Sequence, residues 1–150
     1  MRKLYITILA SWLLGVAVGT GSAQAAERAQ PLIVTIITAS DQGEDFDLDN
    51  DGYRDQLIEL FKFTSYKQVD QQRVYLARSE RSKMELPDGY ELVLTFQGED
   101  SGRLMLQAVI RKGRAQYMDT VIMLPKPGVT FLGGPRVGEK TLIIVLEMSF

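Results

Sequence analysis

Tyr90-Glu91-Leu92-Val93-Leu94-Thr95-Phe96 puts Tyr90, Leu92, Leu94 and Phe96 on one face of an extended chain. Side chains alternate across a strand with period two, so this pattern reads as a strand with one face on a core. The same reading extends downstream. Leu104, Leu106, Ala108 and Ile110 form a second inward face after a turn at Gly98 to Gly102. Lys112-Gly113 signals a hairpin, and Tyr117 to Leu124 is a third strand ended by Pro125-Lys126-Pro127-Gly128. A short strand at Val129 to Leu132 and a loop at Gly133 to Gly138 follow. Thr141 to Met148 is apolar at nearly every position, which places it centrally or under a helix.

Upstream, Leu32-Ile33-Val34-Thr35-Ile36-Ile37 is a β-branched run that reads as a buried strand. Thr64 to Leu76 reads as a long polar strand, with Lys67, Gln71 and Arg73 on an exposed face, and as a candidate sheet edge. Between these two lies one helical pattern. Tyr53, Leu57, Leu60 and Phe61 recur at i, i+4, i+7 and i+8, predicting one short helix over about residues 53–62 with Asp51 as its N-cap. The fold class is therefore α+β and mostly antiparallel β. The expected architecture is a β-sandwich or a curled meander of about 6–8 strands.

Residues 1–25 read as an export signal. Met1-Arg2-Lys3 is basic, Leu4 to Val18 is an apolar run, and Ala23-Gln24-Ala25 has the form that precedes a signal-peptidase cut. Residues 26–150 then form a single β-rich domain with an acidic loop at 41–55. No cysteine follows the apolar run, so the chain is not read as a lipoprotein. The expected location is periplasmic or extracellular. The run is short for a membrane span, and no second stretch is long and apolar enough to be one.

The 150 residues include no cysteine and no histidine, and the net charge is −2. Disulfides, thiolate or histidine catalysis, and metal sites built on those residues are excluded. No basic stripe is present, which argues against nucleic acid. Asp41, Glu44, Asp45, Asp47, Asp49, Asp51, Asp55 and Glu59 crowd one segment, opposed only by Arg54. No S-x-x-K stretch occurs. Ser65-Tyr66-Lys67 and Ser82-Lys83 read as strand and loop. Gly133-Gly134-Pro135-Arg136-Val137-Gly138 lacks the G-K-[ST] ending of a phosphate loop and leads into a strand.

Within the acidic segment, Asp47-Leu48-Asp49-Asn50-Asp51-Gly52-Tyr53-Arg54-Asp55 resembles the opening of the calcium loop in EF-hand and dockerin-like modules. A hard divalent ion takes six to eight oxygens, and alternate side chains in a tight loop can supply them. The resemblance implies side-chain ligation by Asp47, Asp49 and Asp51, the carbonyl of Tyr53, and Asp55 through water. Ile58 stands where the motif has its bidentate Glu, Arg54 stands where an apolar residue anchors the loop, and a strand precedes the loop instead of a helix. Separately, Leu57 to Tyr66 (LIELFKFTSY), Leu86-Pro87-Asp88-Gly89 and Phe131-Leu132-Gly133-Gly134-Pro135 resemble a pattern in small uncharacterised exported bacterial proteins. That resemblance implies one intact small domain and no ligand or catalytic residue.

The function expected from these observations is a non-enzymatic exported envelope protein that works by protein–protein interaction. Its partner would be another envelope protein or a second copy of itself, and it would be a subunit or accessory of a larger assembly. A calcium-binding structural module using Asp47 to Asp55 is one alternative. A small hydrolase using carboxylates is the other. No catalytic residue and no certain cofactor is assigned, calcium being the candidate ion.

Overall fold

The meander anticipated around Tyr90 is one of two packed sheets. The structure is a computed structural model that describes residues 28–148, so the expected export segment lies outside the described residues. The elements are β1 (Gln30–Ser40), β2 (Phe46–Asp47), α1 (Arg54–Phe61), β3 (Ser65–Leu76), β4 (Arg81–Glu85), β5 (Tyr90–Asp100), β6 (Arg103–Lys112), β7 (Ala115–Pro125), β8 (Gly128–Val137) and β9 (Lys140–Met148). A four-stranded sheet runs in chain order, β4-β5-β6-β7. The five-stranded sheet has the order β2-β3-β1-β9-β8. It is therefore not a meander: β1 pairs antiparallel with both β3 and β9, and β2 pairs parallel with β3.

The two sheets enclose the main core. Leu32, Val34 and Ile36 of β1 and Leu142, Ile144 and Leu146 of β9 meet Leu92, Leu94 and Phe96 of β5 and Leu104, Leu106 and Ile110 of β6. A second core lies on the opposite face of the five-stranded sheet. There Ile37, Ala39, Ile143 and Val145 pack with Tyr53, Leu57 and Tyr66. β9 is thus buried from both sides, and this is why its sequence is apolar without alternation.

Among the described residues nine strands form, where about six to eight are expected. β2 has only two residues, and β4 (Arg-Ser-Lys-Met-Glu) turns a single apolar side chain, Met84, into the core. Neither has a pattern to read. The helix begins and ends within one residue of expectation, but its cap differs. Tyr53 is the N-cap residue, no side chain caps the helix, and the Arg54 N–H donates to the Asp51 carbonyl at 3.0 Å. The expected loop at Gly133 to Gly138 is mostly strand. β8 continues to Val137, bulging between Gly133 and Arg136. A side chain at Gly133 would meet the Phe61 ring at 3.4 Å, and one at Gly134 would meet Leu142 at 3.1 Å. The glycines there make room for close packing against the helix and β9.

A bulge in β3 has the widest effect. Ile36 pairs with Asp70 and Ile37 with Gln68, so Val69 is an extra residue. Such an insertion reverses which positions face which side. Tyr66 points to the helix-covered core, and Leu76, also an even-numbered position, points to the core between the sheets.

Candidate functional site

The acidic segment lies across one end of the five-stranded sheet. Its residues have separate tasks. Asp47 belongs to β2, in register with Lys67. Asp49 and Gln68 form a reciprocal pair: Gln68 Nε2 donates to Asp49 Oδ2 at 2.7 Å, and the Asp49 N–H donates to Gln68 Oε1 at 3.3 Å. The Gly52 N–H donates to Asn50 Oδ1 at 2.9 Å, closing an Asx turn. Asp51 contributes its carbonyl to the start of the helix, and Asp55 is exposed in the first helical turn. Tyr53 is buried against Phe131 with its ring edge-on. Among the described residues, no three acidic side chains are grouped as a metal ion would require. The motif residues are held in one segment, in which the Asp49 carboxylate accepts from Gln68 and Asp51 contributes its backbone carbonyl.

The Tyr53 hydroxyl is buried and has no hydrogen-bond partner among the described residues. Burial pushes its pKa up. The nearby Thr35 hydroxyl opposes this, and the charges of Glu147 and Asp49 add to it. Thr35 lies near enough to affect the ionisation but outside hydrogen-bond geometry, and its oxygen accepts from Gln71 Nε2 at 2.9 Å.

Beside the acidic segment is a cavity of about 640 Å³. It is lined by Thr38 and Ser40 of β1, Phe46 and Asp47 of β2, Ser65 and Lys67 of β3, Lys140 of β9, and Gln42 and Asp45 from the connection after β1. The sheet register explains the gathering. Thr38 pairs with Lys67 and Ser40 with Ser65, while Asp47 pairs with Lys67 from the other side. Side chains opposite one another on neighbouring strands stand about 5 Å apart. No sequence motif announces this site, because its residues come from four strands and a loop. The local signals are two pairs at a spacing of two, Thr38 with Ser40 and Ser65 with Lys67, each of which lies on one face of its strand.

The outer faces of the two sheets are treated differently. α1 and the acidic segment cover that of the five-stranded sheet. On the four-stranded sheet, Val93, Val109 and Asp119 are aligned across β5, β6 and β7, as are Met105 with Met123 and Gln107 with Val121. Val93, Met105, Val109, Val121 and Met123 thus share a face that belongs to neither core. Val121 is 53% exposed. Polar groups are interleaved on this face: Glu91 receives Arg111 at 2.8 Å and Lys83 at 3.9 Å, and Gln107, between Met105 and Val109 on β6, donates to Asp119 at 2.9 Å.

The expected polar edge strand is also seen. β2 covers β3 only at Tyr66 and Lys67, so among the described residues no strand pairs with β3 on that side from Gln68 to Leu76. The Val69 bulge and the charges of Asp70 and Arg73 interrupt this edge, which discourages pairing with another strand. Among the described residues, no helix is long and apolar enough to cross a membrane. Comparison with protein-family models, with curated proteins and with solved structures returns no match.

Proposed function

We propose that this chain is an exported, non-enzymatic interaction domain that docks another envelope protein on the outer face of its four-stranded sheet, as an accessory or subunit of a larger assembly. One observation carries this reading. Among the described residues, the fold spends a helix and a loop covering one outer sheet face and places no element over the other, where Val121 is exposed, Met105, Val109 and Met123 are half-buried and Val93 is buried among its neighbours. A sheet face that mixes valine and methionine with paired polar groups has the composition of a non-obligate interface, which is about as apolar as other protein surface and enriched in methionine. Methionine side chains suit this, because they adapt to an opposing surface.

The test uses the exported chain and its Val121→Asp variant in parallel. Light scattering after size exclusion reads self-association, and pull-down from envelope extract reads other partners. The expected result is a stoichiometric partner held by the wild type and lost by Val121→Asp, with unchanged melting temperature. A wild-type chain that stays monomeric and captures nothing Val121→Asp does not also capture would overturn the proposal.

A further inference from the structure

We infer that the cavity at the open end of the five-stranded sheet binds a short zwitterionic peptide. Its ammonium end would lie at Asp45 and Asp47, and its carboxylate end at Lys140 beside Ser40 and Thr38.

The argument begins with four exposed charges at the cavity mouth that do not pair with one another. Asp45, Asp47, Lys67 and Lys140 line one cavity. Asp47 and Lys67 are even in register on adjacent strands. Yet among the described residues the ion pairs lie elsewhere, at Glu91, Asp88 and Glu99, and none joins these four. A cavity with two carboxylates and two ammonium groups that do not satisfy each other is complementary to a ligand carrying both signs. A simple anion would meet Asp45 and Asp47, and a simple cation would meet Lys67 and Lys140.

The hydroxyls supply a second, independent observation. Thr38 and Ser40 are 8% and 7% exposed. Their hydroxyls reach only the carbonyls of Lys67 and Gln42, each at 3.5 Å, which is the outer limit for a hydrogen bond. Buried hydroxyls so weakly engaged would turn to a stronger acceptor, and a ligand carboxylate is one.

Strand spacing sets the size. Asp47 lies on β2, with Asp45 just before it, and Lys140 lies on β9, with β3 and β1 between them. Neighbouring strands are about 4.8 Å apart, so with both side chains reaching inward the ligand's charges would be roughly 7–10 Å apart. Two or three extended residues with free termini span that distance at about 3.4 Å each. This site is on a different surface from the outer face of the four-stranded sheet, so either proposal can fail alone.

The experiment is an amide-shift titration of the ¹⁵N-labelled domain with triglycine, with N-acetyltriglycine and triglycinamide as controls, to millimolar concentration. Shifts are expected at residues 38–40, 65–67 and 140. Capping either end should weaken binding about tenfold or more. Lys140→Met and Asp45→Asn should do the same with unchanged melting, since both side chains are exposed. Val121→Asp should bind like the wild type. An absence of shifts, or shifts outside this cavity, overturns the inference. So does equal binding of either capped peptide, which would mark a plain anion or cation site.

Discussion

The hydroxyl of Tyr66 donates to the Leu57 carbonyl at 3.1 Å and accepts from the Phe63 N–H at 3.1 Å. One buried phenol thus joins β3 to the helix and to the chain leaving it. Tyr66→Phe keeps the ring, with its tilted and edge contacts to Phe46 and Phe63, but leaves a carbonyl and an N–H unsatisfied. The expected cost is about 1–3 kcal/mol, read from urea unfolding. A change within error would mean that water reaches both groups.

Alkaline pH should destabilise the domain. Burial raises the pKa of Tyr66 above its ordinary value of 10.0, and it raises that of Tyr53 likewise. The folded state then holds its phenolic protons more tightly than the unfolded chain. This stability is fully present below pH 10.0 and is lost as pH rises through the folded values. Unfolding curves from neutral pH upward should show the decline beginning near the unfolded value. Tyr66→Phe should make it shallower, and an unchanged slope would remove Tyr66 from the cause.

Asp49 should matter to stability through Gln68. Asp49→Ala removes the 2.7 Å contact that ties the acidic segment to β3. The pair is exposed, so the expected loss is about 0.5–1.5 kcal/mol, the same in chelator as in excess calcium. Melting curves of wild type and variant under both conditions check this. A wild-type shift with calcium that vanishes in Asp49→Ala would instead establish the loop as a metal site.

Gly134→Ala should be costly. The added methyl would lie 3.1 Å from both Cβ and the carbonyl oxygen of Leu142, at the bulge where β8 meets β9. Tyr117 also donates to the Gly134 carbonyl, at 3.4 Å. Overpacking of this kind costs about 1–3 kcal/mol. Gly102→Ala is a useful contrast: its site is spatially open but has a φ of 75°, so any loss there is backbone strain alone.

What could be read in the residues depended on whether a local rule governed them. Leu92, Leu94, Phe96, Leu104, Leu106 and Ile110 alternate because they lie outside the bulges of their strands and only one face of their sheet meets the core. The helix was legible because Leu57 and Phe61 repeat at its period. β3 was legible as a strand, but not in its facing, since the Val69 bulge reverses the alternation partway along. Gly133 and Gly134 look like a loop until the Phe61 ring and Leu142 are seen against them. Asp51 suits an N-cap by type, yet its carbonyl meets the helix instead. The polar cavity was not legible, because strand pairing alone brings Ser40, Ser65 and Lys140 together. The unequal covering of the two sheets has the same origin, being a property of layers and not of any segment.

β9 lies between β1 and β8, so the five-stranded sheet has its latest strand inside it and not at an edge. Until Lys140 to Met148 are available, β1 lacks one of its two neighbours and β8 has none in its sheet. The β4 to β7 meander, made of nearby pairings, can assemble early. The larger sheet must wait for contacts between residues more than a hundred positions apart, such as Ile33 with Glu147. Long-range closure of this kind is slow. The pairing of β9 with β1 and β8 is therefore the step that closes the larger sheet and, with it, the core between the two sheets.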